Sequence, residues 1–246
     1  AEDDDKNVDI DMLGFIAVPY DNGQYSVHMN YARAWNLVGF DGQSLNSFNT
    51  AYGAYFVAPS PSTEYDLQKA TPEFKDVGDI DFATVLFKTE GIGNGISNYL
   101  DNSIAFASFA ASKTKPNDKG MLGSTDSETG TSVWLGVNAP CPILPDSAKI
   151  GFEWNKGSKY WRSMTYGEDT YAGSKIAARG QAFEVYRTQK LTEALSFGVS
   201  YVYIDYDYTG SNSFFGADGE PIAISDANGS AVKEAQDVRA YMRYKF

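Results

Sequence analysis

The chain has 246 residues, a formal net charge of −12 and a pI near 4.5. That balance excludes a nucleic-acid partner, because phosphate binding needs a basic face to release counterions and no compact basic run occurs. With one His and one Cys, neither an intrachain disulfide nor a structural zinc cluster nor a c-type haem site can be assembled within the chain, so no cofactor is expected.

Nothing in the sequence marks an internal boundary, so residues 1–246 are read as a single unit. The counts of 23 Gly, 17 Tyr and 15 Phe, with Leu sparse and no long helical period, are a strand-and-turn composition. No run approaches the roughly 18 consecutive apolar residues of a membrane helix. The mean hydropathy of −0.36 looks soluble, yet a porin-type barrel also averages polar because only alternate residues of each strand meet lipid. Alternation therefore decides what hydropathy cannot.

In chain order, Ile10, Met12, Ile16 and Val18 alternate with Asp9, Asp11, Phe15 and Ala17, and Asp21-Asn22-Gly23 supplies a tight turn into a second strand. There Tyr25, Val27, Met29 and Tyr31 alternate with Ser26, His28, Asn30 and Ala32. A further strand is read over residues 51–58. Ile80, Phe82 and Leu86 then oppose Asp79 and Asp81, Ile104, Phe106 and Ala110 share a face, and Val133, Leu135 and Val137 form a stripe. Ile150, Phe152 and Trp154 oppose Gly151, Glu153 and Asn155; Phe183 and Val185 oppose Glu184 and Tyr186; Leu195, Phe197, Val199, Tyr201 and Tyr203 oppose Ser196, Gly198 and Ser200. The last strand sets Val238, Ala240, Met242, Tyr244 and Phe246 against Asp237, Arg239, Tyr241, Arg243 and Lys245.

About ten strands result, each close to the roughly 9 to 11 residues that cross a bilayer at a tilt. The expected fold is all-β, an antiparallel transmembrane β-barrel. Long polar links at residues 60–76, 113–131, 162–175 and 211–233 contrast with tight ones at 21–23 and 190–193. Tyr20, Tyr31, Trp35, Trp154, Tyr201 and Tyr203, near strand ends, suit interfacial girdles, although any one of them is also an ordinary strand aromatic.

The terminal aromatic preceded by apolar residues at every second position, Val238, Ala240, Met242, Tyr244 and Phe246, resembles the signal that the outer-membrane barrel-assembly machinery reads. The segments GIGNGISNYLDNSIAFASFAASKT, GFEWNKGSKYWRSMTYGEDTYAGSKIAARGQAFEVY, YVYIDYDYTGSN and AQDVRAYMRYKF resemble a largely uncharacterised family of proteobacterial porin-like outer-membrane proteins over residues 77–246. Gly157-Ser158-Lys159 with Tyr160-Trp161 is the most distinctive piece. The resemblance implies the cell outer membrane, contact with its lipid and lipopolysaccharide, and a chain forming the C-terminal portion of a longer barrel. Two arrangements follow: these strands close alone, or further strands or copies complete the wall.

The function expected is a porin-like channel for passive diffusion of ions or small polar solutes, not an enzyme. If the terminal apolar set faces lipid, Asp9, Asp11, His28, Asn30, Asp79, Asp81, Glu153, Asn155, Glu184, Arg239, Arg243 and Lys245 line the pore, since Arg or Lys on the lipid face costs about 2–4 kcal/mol near the midplane. Closure would bring Arg239 and Arg243 beside Asp9 and Asp11, a transverse field across the channel. The bland alternative is salt-bridged interior packing. Residues 205–210 and 226–229 are oxygen-rich turns without the spaced Gly and Glu of an EF-hand. Ser26 with His28 lacks the cues of an activated nucleophile. The competing function classes are a plugged barrel acting as scaffold, adhesin or receptor, and a sheath around a separate electron-transfer protein.

Overall fold

The computed structural model describes residues 9–40, 74–163, 173–211, 220–227 and 231–246. Nine long strands form one antiparallel sheet: β1 (Asp11–Asp21), β2 (Tyr25–Trp35), β5 (Gly78–Glu90), β6 (Ile104–Pro116), β7 (Thr129–Pro140), β8 (Ala148–Gly157), β9 (Gly180–Lys190), β10 (Leu195–Tyr206) and β11 (Glu234–Tyr244). A small ribbon, β3 (Val38–Phe40) with β4 (Phe74–Asp76), interrupts the β2–β5 link. Among the described residues, a helical turn, α1 (Asn98–Asp101), and a 3-10 turn (Lys175–Ala177) sit in connections. All nine strands are among those expected from alternation; the one read over residues 51–58 lies outside the described residues.

Local chemistry explains the order of the sheet. At the β1–β2 hairpin, the Asp21 carboxylate accepts from Gly23 N at 2.8 Å and the Asn22 side-chain oxygen accepts from Gln24 N at 3.0 Å and Tyr25 N at 2.7 Å. Gly23 takes φ +86°, which an L side chain resists. Pro19, which has no N–H to give a ladder, lies within the register shift between Ala17 and Tyr20, on an edge strand where a bulge is tolerated.

The strand ends alternate between two rims. Residues 22–24, 91–103, 141–147 and 191–194 join strands at one; the other carries the ends at Trp35 and Gly78, Pro116 and Thr129, Gly157 and Gly180, and Tyr206 and Glu234. We call these the turn rim and the loop rim. Small cores gather at the loop rim: Ala34, Leu37, Val77, Ile80 and Met121 in one, Ala178, Ala182, Val202, Ile204 and Tyr206 in another.

The sheet runs β1-β2-β5-β6-β7-β8-β9-β10-β11, each neighbour pair antiparallel, with β1 and β11 at its two edges. The expected approach of Arg239 and Arg243 to Asp9 and Asp11 through a β1–β11 pairing is not present. Alternating directions over nine strands leave β1 and β11 running the same way, so joining them directly would need a parallel pair.

Candidate functional site on the concave face

Cross-strand register assigns every strand residue to one of two faces. One face carries Leu13, Phe15, Met29, Val85, Phe109, Leu135, Phe152, Val185, Val199, Val238 and Met242 along its middle. These side chains are exposed: Phe15 by 61%, Phe109 by 50% and Val238 by 71%. Tyr20, Tyr31, Trp35, Trp154, Tyr201 and Tyr203, the residues suited to girdles, all lie on this same face.

The opposite face is concave. Met12 of β1 and Asn155 of β8 border a single cavity of about 440 Å³. Five strand spacings would separate β1 from β8 by roughly 24 Å in a flat sheet, so the sheet must curl around this space. Glycines let aromatic rings lie flat along the concave wall. A Cβ on Gly136, Gly151 or Gly198 would meet the ring of its cross-strand partner, Phe106, Tyr186 or Tyr241, at 2.2, 2.1 and 2.3 Å.

The chain after β8 folds onto this face. Ser158 exchanges hydrogen bonds with Thr131, its Oγ accepting from Thr131 N at 2.8 Å, and Arg162 N donates to Ser112 Oγ at 3.2 Å. Trp161 Nε1 donates to Ile176 O at 2.8 Å, closing the segment on itself. Arg162 and Arg179 are buried, donating to the carbonyls of Gly210 at 3.1 Å and Thr209 at 2.8 Å. Outside the sheet, Lys159 pairs with Glu220 at 2.7 Å, and that hydrogen bond lowers the Glu220 pKa and raises that of Lys159.

From the same segment Lys175 reaches the wall. Its Nζ lies 2.6 Å from Glu153 Oε2 and also pairs with Glu184; the two carboxylates sit opposite one another on β8 and β9. Trp134 Nε1 donates to Glu153 at 2.9 Å, and the ammonium stands 5.6 Å from the Trp134 ring centre. Burial opposes the Lys175 charge, but hydrogen bonds to Glu153 and Glu184 outweigh it and raise the lysine above its ordinary pKa. At the turn rim Lys149, Lys190, Arg243 and Lys245 border a depression of about 290 Å³ with Asp146.

Of the residues expected to line a pore, His28, Asn30, Glu153, Asn155, Glu184, Arg239 and Arg243 are on the concave face. His28 Nε2 lies 3.0 Å from Ser26 Oγ, the contact open to alternate residues of one strand. Arg239 pairs with Asp237 at 2.5 Å. Lys245 follows β11 and is bonded through its N–H to Ala194 O at 2.8 Å; Asp9 precedes β1.

Asp11, Asp79 and Asp81 correct the expectation. Asp11 is opposite Trp35, while Asp79 and Asp81 share the convex face with Arg33 and Lys115, at 2.7 Å for Arg33–Asp79 and 2.5 Å for Lys115–Asp81. Met12, Ile16, Ile80, Phe82 and Leu86, expected on the opposite face, are concave instead. The cause at β5 is the loop-rim core: Ile80 is fully buried against Val77, Leu37 and Met121, so the apolar side points inward there and the charges ring the rim outside. β1 is apolar on both faces, so its alternation carries no sign; pairing Phe15 with Tyr31 sets it.

Sequence reasoning missed Lys175, Trp134 and Trp161 as site residues, because two of them lie between strands and enter the concave face only by a fold-back. The one available signal was the distinctive Gly157 to Trp161 run. No curated protein matches the chain. A family model described as a protein of unknown function, DUF3373, matches residues 1–246, a wider span than the resemblance read from residue 77, and the chain belongs to that family.

Proposed function

We propose that the chain builds wall of an outer-membrane β-barrel and serves as a porin-like channel for passive diffusion of ions or small polar solutes. The observation that carries this reading is the contrast between the faces of one sheet. The convex face exposes a continuous apolar band with aromatic residues among its ends, and the concave face presents Asn, Ser, Thr, Glu and Lys. In water so large an exposed band is unfavourable; lipid would cover it while water fills the concave side. Three of the four connections at the turn rim, residues 22–24, 141–147 and 191–194, are tight, which fits the same architecture.

In lipid, open strand edges leave backbone groups unpaired at several kcal/mol each. An all-antiparallel wall is completed between β1 and β11 by an odd number of additional strands, which also excludes a second copy inserted in the same orientation as the direct partner of both edges. The acidic balance supports a mild cation preference. Planar-bilayer recordings of the folded protein test the proposal: discrete ohmic conductance with a reversal potential favouring cations is expected, and anion selectivity would overturn the preference. The fold-back of residues 158–163 and 173–179 onto the concave face favours a second reading, a largely filled barrel acting as scaffold or receptor. Detergent partitioning without any conductance would support that reading over the first.

A further inference from the structure

Acidic side chains outnumber basic ones in this chain, 32 to 20. Over most of the concave face the cations find carboxylates: Lys88 pairs with Glu90, Lys175 with Glu153 and Glu184, and Arg239 with Asp237. Four cations at the turn rim do not. Among the described residues, Lys149, Lys190, Arg243 and Lys245 come within 4.0 Å of no carboxylate, although all four are exposed and Asp146 borders the same depression.

Strand register gathers them. Lys190, Ser196 and Arg243 form one row across β9, β10 and β11; Lys149, Thr188, Gly198 and Tyr241 form the next, from β8 to β11. Both rows lie on the concave face, so their side chains leave the sheet on one side. Two strand spacings set the Lys190 and Arg243 backbones roughly 10 Å apart, which lets two long side chains reach one small ion. Gly198 admits the Tyr241 ring against the wall, and the Arg243 guanidinium stands 5.9 Å from the centre of that ring. The depression holds about 290 Å³, with Ser147 and Thr188 adding hydroxyls to its border. Like charges gathered within about one screening length, roughly 8 Å at physiological salt, repel each other, so a bound counter-charge is favoured.

We propose that this depression binds the phosphate group of a soluble solute, free phosphate or a small monoester, with Arg243 donating through two guanidinium N–H groups and the lysines acting as point charges. A doubly charged phosphate, with several acceptor oxygens, meets more of these donors than a single carboxylate can. A lipid headgroup would approach from the apolar convex band, and both rows of cations are on the other face. A strand added at the open edge of β11 would lie beside Arg243 and Lys245, but Lys190 and Lys149 stand two and three strands in, on β9 and β8. The inference deepens the channel reading and rests on it for the solute's route, but not for the site itself.

Calorimetry on the folded full-length chain in nonionic detergent at low salt, with inorganic phosphate as probe and nitrate as a singly charged oxyanion, tests the proposal. Saturable phosphate binding with a dissociation constant on the order of 1 mM is expected, with nitrate weaker by about tenfold or more. Lys190→Gln and Arg243→Gln each lower affinity by about fivefold or more, the range of one lost charge-assisted hydrogen bond; both side chains are exposed, so neither change empties a core. Lys156→Gln removes an equal charge from an exposed position on the convex face and leaves affinity unchanged. Absence of saturable heat, equal binding of nitrate, or an equal loss in Lys156→Gln would overturn the site. In phosphatidylcholine vesicles, added phosphatidylglycerol leaves phosphate affinity unchanged; competition by that lipid would overturn the soluble source. Bilayer conductance is read separately: binding without conductance removes the channel and keeps the site, and conductance without binding does the reverse.

Discussion

Replacing Lys175 by methionine removes the cation that Glu153 and Glu184 share, with little change in side-chain bulk. The three groups are only 16%, 12% and 15% exposed, so water screens them poorly. Glu153 and Glu184 are direct cross-strand partners, a placement that sets Cβ atoms about 5 Å apart. Two like charges about 5.5 Å apart at an effective dielectric near 20 repel by roughly 3 kcal/mol. Breaking a buried pair by removing one member costs about 3–5 kcal/mol, and residual solvent access places this case at the lower end. The expected result is a loss of about 3 kcal/mol in urea unfolding followed by tryptophan fluorescence, with the slope unchanged. Lys175→Met combined with Glu184→Gln restores much of it by removing the repulsion. A single variant within about 0.5 kcal/mol of the parent, or a double variant no more stable than the single, refutes the reasoning.

The same ion pairs give a pH dependence: because the Lys175 pKa is raised above 10.5, their stabilisation is complete below that value and is lost as pH rises through the higher folded pKa, so alkaline titration of the parent shows a loss that Lys175→Met lacks. Gly151→Ala drives a Cβ to 2.1 Å of the Tyr186 ring and is expected to destabilise by about 1–3 kcal/mol, an effect that Tyr186→Ser relieves in thermal unfolding. Phe109→Arg, at the middle of the convex band, should impair folding into lipid vesicles by about 2–4 kcal/mol relative to Phe109→Leu; equal folding of the two would contradict lipid contact there. In a Cys141→Ser background, cysteines scanned along β1 against Val238→Cys on β11 should resist oxidative cross-linking in the folded protein, and efficient cross-linking would show that the two edges join directly.

Alternation determined the strands. From β7 onward the apolar set of each strand, Leu135, Phe152, Val185, Val199 and Val238, lies on the convex face that its spacing predicts, because a period of two has one sign whenever only one side is apolar. The hairpin at Asp21-Asn22-Gly23 was legible for a similar local reason: its side chains bond their own backbone. Tertiary structure decided what local pattern could not. β1 is apolar on both sides, and β5 carries apolar residues toward a core made by Leu37, Val77 and Met121, so facing there depends on partners distant in sequence. The direction of the two edge strands follows from counting nine neighbours, a property of the whole sheet. The concave site depends most on the fold: Lys175 and Trp161 lie between strands, and only the return of the chain onto the sheet brings them to Glu153, Glu184 and the cavity beside Asn155.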